Sequence, residues 1–134
     1  MRIWGWKSNN MKMHIFPFTV AYADTDAEGV MYHARYLEVA ERARMSWLRG
    51  HVVADGDIGF VVRELNIKYM MPLCLGDDFV VETQMTDVGA AIVRVEQKII
   101  KGDDICAIIN LKIAYLGKNM RPKRIPSEFL DSLI

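Results

Sequence analysis

The residues best suited to chemistry lie within ten positions in the first quarter of the chain. Three carboxylates, a glycine, a tyrosine and a histidine share one segment, Asp24-Thr25-Asp26-Ala27-Glu28-Gly29-Val30-Met31-Tyr32-His33. A helical pattern follows at once, so the segment leads into a helix N-terminus, where free backbone N–H groups favour negative charge. A carboxylate beside such donors suits acyl transfer, because one group attacks or activates water while the donors hold the oxygen that gains charge.

The element that must position this segment is predicted to be one amphipathic helix from His33 to Arg49. Glu38 and Arg42 stand four positions apart on its polar face, and Gly50 is a natural C-terminal stop. At 1.5 Å per residue such a helix is about 24 Å long, enough to lie across several strands. Its buried face is marked by apolar residues at spacings of three and four: Tyr36, Val39, Ala40, Ala43 and Trp47.

The rest of the chain is predicted to form strands. The first spans about Met13 to Ala21, and four more follow from Phe60 onward with period-two alternation and short turns. Such alternation is typical of an antiparallel sheet with one covered face, so the predicted class is α+β, a sheet wrapped around one long central helix. The residues expected on covered faces are Val61, Leu65, Ile67, Tyr69 and Met71; Phe79, Val81, Thr83 and Met85; Ala91, Val93, Val95, Gln97 and Ile99; and Ile105, Ala107, Ile109, Leu111, Ile113 and Tyr115.

Length and composition limit the class of protein. The 134 residues, 51% of them hydrophobic, suffice for one domain over residues 13–134 after a short lead-in over residues 1–12. A formal net charge of zero argues against a general nucleic-acid surface. Two cysteines without a CxxC pair, and the lack of a secretion signal or membrane span, predict a cytoplasmic protein without stable membrane insertion. The basic, proline-broken tail 121–126 is expected to be a surface extension.

A family resemblance covers residues 14–127. The segment 22–36, followed by Glu41-Arg42-Ala43-Arg44 and Trp47-Leu48-Arg49, resembles the opening signature of hotdog-fold acyl-CoA thioesterases of the YbgC-like, 4-hydroxybenzoyl-CoA thioesterase type. The resemblance continues through residues 60–63 and 65–69, the turn at residues 77–78 and the tail. It implies hydrolysis of acyl-CoA, or of acyl carrier protein thioesters, without a metal or a cofactor, since coenzyme A is part of the substrate.

The resemblance also assigns residues. It places the catalytic carboxylate at Asp26 and the N–H groups that polarise the thioester carbonyl at Tyr32 and His33. It implies a homodimer, assembled further into a tetramer, with acyl-CoA bound at the subunit interface. Two positions depart from the family pattern: Arg35 stands where Asn is common, and Glu28 where a small residue is usual.

Each assignment has a structural alternative. Asp26 could act as a nucleophile or as a general base, or could only bond its own loop. His33 could orient substrate, tune Asp26 or be structural, and Tyr32 could line the pocket. Asp24 is expected to bond the loop backbone. The residues predicted to contact substrate are Gly29, whose backbone lets the loop turn tightly; Gly59, Phe60 and Val61, as a pocket wall; and Arg121 and Arg124, with Lys123, at the phosphates of coenzyme A.

Other functions were weighed against this one. The loop imitates an EF-hand at Asp24, Asp26, Glu28 and Gly29, but Arg35 occupies the position that needs a bidentate Glu, so a calcium site is not expected. A non-catalytic acyl-CoA-binding domain of the same fold is the main alternative. A hotdog dehydratase or hydratase would want an Asp/His pair placed differently on the helix, and the loop acid Asp26 before the helix speaks against it.

Overall fold

The computed structural model describes residues 12–49, 53 and 56–133. Its elements alternate in the predicted order of strand, helix and four further strands, with a second, short helix at the end. Their bounds are β1 (Met13–Thr19), α1 (Arg35–Leu48), β2 (Gly59–Tyr69), β3 (Asp78–Val88), β4 (Ile92–Lys101), β5 (Asp104–Leu116) and α2 (Ser127–Leu133), with one 3₁₀ turn at Tyr22–Asp24 before α1.

The five strands form one antiparallel sheet in the order β1-β3-β4-β5-β2. The hairpins β3–β4 and β4–β5 build its centre, while the long connections place β1 and β2 at opposite edges. Strand β2 pairs with β5 alone, and its register shifts at a bulge between Val62 and Glu64. The predicted antiparallel sheet around one central helix is therefore confirmed.

Helix α1 packs its apolar face against one face of the sheet, as the three- and four-residue spacing predicts. Ala40 and Ala43 are fully buried there, so the backbone of the helix lies close to the strands. A polar contact fixes its position: the buried Gln97 amide donates to the Ala40 carbonyl oxygen and to Thr83 Oγ1, both at 2.9 Å. Arg44 Nη1 donates to Gln97 Oε1 at 3.0 Å. These bonds satisfy polar groups that would otherwise be costly to bury.

The covered face predicted for the second strand is wrong in part. On β3, β4 and β5 almost all the expected residues are buried, but Leu65 is 38% exposed and Tyr69 is 45% exposed. The reason is position: β2 is an edge strand at the end of the sheet, so helix α1 and one neighbouring strand cover only part of it. Alternation of side chains along a strand does not reveal whether that strand lies at an edge.

The C-terminal tail is anchored to the body, whereas a surface extension was predicted. Pro122 forms a bridge to Leu116, the Ile125 N–H donates to the Ala90 carbonyl oxygen at 2.8 Å, and the Ile125 side chain is buried. Helix α2 then buries Phe129, whose ring lies 4.7 Å from that of Phe60. Main-chain bonds and the buried side chains of Ile125 and Phe129 therefore anchor the tail.

Other boundaries differ by small amounts. Helix α1 begins at Arg35, two residues after the predicted start, because the backbone at residues 33–34 forms a turn. Strand β1 ends at Thr19 and not at Ala21. The predicted stop at Gly50, much of the following loop and almost all of the lead-in lie outside the described residues. Within the described ranges, no helix is long and apolar enough to cross a membrane.

Candidate active site

The acidic loop between β1 and α1 is held on both of its sides. Within the loop, the Asp26 N–H donates to the Val30 carbonyl oxygen at 2.9 Å, and Thr25 pairs with Met31. On its other side, the Met31 N–H donates to the Leu73 carbonyl oxygen at 2.7 Å, so the segment before β3 runs alongside the loop. The loop is therefore fixed by main-chain bonds, independently of the side chains that could do chemistry.

Gly29 provides the tight turn of the loop. Its φ of +81° lies in the left-handed region, where a Cβ atom is unfavourable. The Gly29 N–H donates to the Asp26 carbonyl oxygen at 3.1 Å and closes the turn. The sequence-based expectation of a backbone requirement at this glycine is thus confirmed.

Asp26 is exposed on this loop, with its two carboxylate oxygens in different surroundings. Oδ1 accepts the Glu28 N–H at 2.8 Å, a local bond that fixes the side-chain orientation. Oδ2 accepts no hydrogen bond from the part of the chain that the structure describes. Asp26 therefore makes the loop bond of the structural alternative and still presents one free oxygen for chemistry.

Free N–H groups lie at the start of α1. The Tyr32 N–H is used, since it donates to the Asp24 carbonyl oxygen at 2.9 Å, and the Arg35 N–H donates to the Tyr32 carbonyl oxygen at 2.8 Å. The N–H groups of His33 and Ala34 donate to no acceptor among residues 12–49, 53 and 56–133. The helix start thus offers His33 and Ala34, and not Tyr32, as donors to an oxygen that gains charge.

The side chains of Tyr32 and His33 are exposed and lie against each other, with ring centroids 4.4 Å apart. Neither side chain is hydrogen-bonded to Asp26 among the described contacts. Both face solvent beside the loop, where a bound molecule could touch them.

Arg35 ties the loop to the helix. Its Nη2 donates to the Ala23 carbonyl oxygen at 2.8 Å, its Nε lies 3.4 Å from Asp24 Oδ1, and its Nη1 bonds Glu38 at 2.9 Å. Arg35 holds the pKa of the Glu38 carboxyl below its usual value. Asp24 Oδ2 in turn accepts the Ala21 N–H at 2.8 Å, as expected of a structural carboxylate. Arg35, at a position where Asn is common in the family pattern, therefore links the base of the loop to the helix. We call these contacts of its guanidinium group the Arg35 strap.

Two tyrosines that sequence reasoning treated only as apolar residues also bond this region. The Tyr69 hydroxyl donates to the His33 carbonyl oxygen at 2.6 Å, and the buried Tyr36 hydroxyl accepts the Leu73 N–H at 3.1 Å. Their rings pack edge to face, with centroids 5.2 Å apart. Residues 33 and 69 are 36 positions apart, so no spacing pattern could have indicated the contact.

A groove of ≈ 690 Å³ lies at the other end of α1, between the helix and the start of β2. Phe60 and Val61, predicted as pocket wall, do line it, and Gly59 begins the strand beside them. Met45 projects from the helix into this region and is 68% exposed. The apolar lining is formed by Met45, Leu48, Phe60, Val61, Val62 and Ile113, and the charged lining by Glu41, Arg44 and Arg49.

The tail lies beside the start of β2, near this groove. Lys123 Nζ contacts both oxygens of Asp57 at 3.0 Å, and the buried Tyr115 hydroxyl donates to Asp57 Oδ2 at 2.8 Å. These donors hold the pKa of the Asp57 carboxyl below its usual value, Tyr115 first and Lys123 next. Arg121 and Arg124 are exposed on the same segment and do not line the groove.

The predicted site residues thus fall into two sets. Asp26, Gly29, Tyr32 and His33 meet at the start of α1, whereas Phe60, Val61 and the tail meet at its end. The 14 residues of α1 separate the two sets by roughly 20 Å at 1.5 Å per residue. Within the described residues, no three or more His, Cys, Asp or Glu side chains are grouped to hold a metal ion.

Comparison with known proteins identifies the family. Residues 28–117 match the thioesterase superfamily. The acyl-CoA thioesterase YbgC of Haemophilus influenzae is 38% identical over 121 residues, which are 84% of this chain and 88% of that protein. The acyl-CoA thioester hydrolase YbgC of Escherichia coli is 29% identical over 130 residues, which are 90% of this chain and 96% of that protein.

A solved structure agrees with these relatives. The probable thioesterase from Bartonella henselae superposes with a TM-score of 0.78 at 33% identity, over 86% of this chain and 100% of that chain. The resemblance and the hotdog fold expected from the sequence are both confirmed. The chain belongs to the thioesterase superfamily, among the hotdog-fold enzymes related to YbgC.

Proposed function

We propose that this thioesterase hydrolyses acyl-CoA to a free acid and coenzyme A, with Asp26 as its catalytic carboxylate. One observation carries the proposal: a free carboxylate oxygen of Asp26 lies on a fixed loop that leads into a helix start with free N–H groups at His33 and Ala34. The superfamily match begins at residue 28, so the role of Asp26 is supported by this geometry and by the loop motif.

Either of two routes balances the reaction. In the nucleophilic route, Asp26 Oδ2 attacks the thioester carbon, the C–S bond breaks with release of the coenzyme A thiolate, and water then hydrolyses the mixed anhydride. In the general-base route, Asp26 takes a proton from water while the water oxygen attacks, and the proton passes to the leaving thiolate. In both, the N–H groups of His33 and Ala34 hold the carbonyl oxygen as it gains charge.

A second copy of the chain would unite the two sets of site residues. The open edge of β2 has unpaired main-chain groups, so two copies can pair there about a two-fold axis. The end of β2 lies beside the start of α1 through Tyr69, and the start of β2 lies beside the end of α1 through the groove. Antiparallel pairing of β2 with itself therefore brings the groove of one copy next to the Asp26 loop of the other.

In this arrangement the apolar groove takes the acyl group. Phe60 and Val61 supply apolar surface, and exposed Met45 gains a cover. Arg121 and Arg124, on the segment beside the groove, bind phosphates of coenzyme A, because guanidinium groups suit that charge. We also propose that the chain forms a homodimer, which assembles further into a tetramer. A cytoplasmic location is proposed as well, in agreement with the free thiols of Cys74 and Cys106.

Asp26→Asn tests the proposal, with Glu28→Gln as the matched control. Both changes remove one exposed carboxylate from the same loop, but only Asp26 is assigned a bond-forming role. On a panel of acyl-CoA thioesters we expect thiol release to fall about 10³-fold or more for Asp26→Asn and to stay within about threefold for Glu28→Gln.

Two results would contradict the proposal. If Asp26→Asn hydrolyses every thioester as fast as the wild type, Asp26 is not the catalyst. If the wild type binds acyl-CoA in calorimetry but releases no thiol from any member of the panel, a non-catalytic binding domain is the better description.

A further inference from the structure

The carbonyl group of His33 has an unusual partner for a group at a helix start. The helix does not use this carbonyl, because the N–H groups of Leu37 and Glu38 both donate to the Ala34 carbonyl oxygen. Among the described residues its donor is the Tyr69 hydroxyl, at an O···O distance of 2.6 Å, which is at the short end of the range for such bonds. Tyr69 is the last residue of β2, so this bond joins the edge strand to the turn that begins α1.

This bond fixes the direction of a neighbouring N–H group. In a planar trans peptide the C=O and N–H bonds point in opposite directions. Holding the His33 carbonyl toward Tyr69 therefore points the Ala34 N–H away from Tyr69. That N–H is one of the free donors at the helix start.

The bond also strengthens that donor. A hydrogen bond to a peptide carbonyl polarises the whole peptide group, so its N–H becomes a better donor. Burial raises the pKa of the Tyr69 hydroxyl, so this group keeps its proton and donates it across the range in which enzymes work.

We propose that Tyr69 is a positioning residue for the reaction. Its hydroxyl orients and polarises the Ala34 N–H, so that this N–H can donate a hydrogen bond to the oxyanion. The inference rests on the proposed function, since it concerns the carbonyl oxygen of the bound thioester. It adds a residue from β2 to a site whose other members come from the loop and the helix start. It also makes the geometry of that site depend on β2, the edge strand at which a second copy would pair.

Tyr36 provides a matched control. Tyr36 and Tyr69 form one edge-to-face pair, and each hydroxyl makes one hydrogen bond to the main chain. The Tyr36 hydroxyl bonds Leu73, outside the helix start. Tyr36→Phe and Tyr69→Phe therefore both remove a hydroxyl from the same aromatic pair, and only Tyr69→Phe releases the His33 carbonyl.

The kinetic test compares kcat and KM of the two variants on a thioester that the wild type hydrolyses. For Tyr69→Phe we expect kcat to fall about tenfold with KM within about twofold, since a misplaced donor weakens the transition state more than the bound substrate. For Tyr36→Phe we expect kcat within about twofold of the wild type. We expect its loss of Tm to be at least as large as that of Tyr69→Phe. Equal losses of kcat in both variants, or an unchanged kcat in Tyr69→Phe, would overturn the proposal.

A second measurement needs no activity and so separates this inference from the proposed function. In protein labelled with ¹⁵N-alanine, the amide proton resonance of Ala34 should move upfield in Tyr69→Phe, because its peptide loses polarisation, and should stay in place in Tyr36→Phe. A resonance that does not respond to Tyr69→Phe shows that the hydroxyl does not act on this donor, whatever the Asp26 variants do.

Discussion

The two ends of helix α1 differ in how completely one chain builds them. At the start, main-chain bonds, the Arg35 strap and the Tyr69 hydroxyl fix the acidic loop. At the end, an open apolar groove and a half-covered edge strand face solvent. Groups that must be placed to within fractions of an ångström are held by one chain, whereas the surface that we propose to receive the acyl group stays open in one chain.

Among the changes that test this comparison of the two ends, the largest effect is expected from placing a charge in the groove at the end of α1. Met45→Glu puts a carboxylate into the apolar groove, where a bound acyl group or a second copy would have to desolvate it at a cost. We expect kcat/KM for acyl-CoA to fall about 100-fold and the proposed dimer to dissociate in light scattering. The control is Met13→Glu. Met13 is an exposed methionine on β1, the opposite edge strand, so this change should leave kcat/KM within about twofold of the wild type. A Met45→Glu protein that is dimeric and fully active would show that the groove is not part of the site.

A smaller effect is expected from straining the backbone of the acidic loop at the start of α1. Gly29→Ala places a Cβ at a φ of +81° with no neighbouring atom within 4 Å, so the cost is backbone strain of about 1–2 kcal/mol. Gly102→Ala, at a φ of +60° and also in open space, is the control for strain alone. Both variants should lose a few degrees of Tm. We expect only Gly29→Ala to lose kcat, by about tenfold, through displacement of Asp26. Equal kcat values in both variants would show that the loop need not be rigid.

The smallest effect concerns a tight polar contact near the groove, made by the Asp57 carboxylate. Its side chain is only 4% exposed and is bonded by Tyr115 and Lys123, and its pKa in the folded protein is lowered. The stability that Asp57 contributes is present above its unfolded pKa of about 4 and is lost as the pH falls through the folded pKa. The Tm of the wild type should therefore fall more steeply between pH 5 and pH 3 than that of Asp57→Asn.

The control for this pH dependence is Asp103→Asn, which removes an exposed carboxylate from the hairpin turn between β4 and β5. Its Tm profile should parallel that of the wild type. Parallel profiles for Asp57→Asn and the wild type would mean that the contacts to Tyr115 and Lys123 add nothing to the stability of the folded chain.

Much of the fold could be predicted because local periodicity reports burial directly. The spacing of Tyr36, Ala40 and Trp47 predicted the face of α1 that is buried, and strict alternation predicted the inward residues of β3, β4 and β5. Gly29 in an acidic loop predicted its tight turn, which the positive φ confirms. These features depend on residues close in sequence, so one stretch of chain is enough to reveal them.

The remaining features depend on residues far apart in sequence. The edge position of β2 follows from strand order, which alternation does not encode. The burial of Phe129 follows from a neighbour, Phe60, that comes more than 60 residues earlier. The assignment of the free donors to His33 and Ala34 required knowing that the Tyr32 N–H bonds the Asp24 carbonyl oxygen.

The sequence by itself determined the helix face, the alternating strands, the loop that carries Asp26 and, through its motifs, the family. The tertiary structure decided which N–H groups are free, that Tyr69 reaches the helix start, and that the predicted site residues lie at opposite ends of α1. The physical reason is the range of the interactions. Burial and backbone preference act residue by residue along the chain, whereas a hydrogen bond from residue 69 to residue 33 exists only after the sheet has brought the two together.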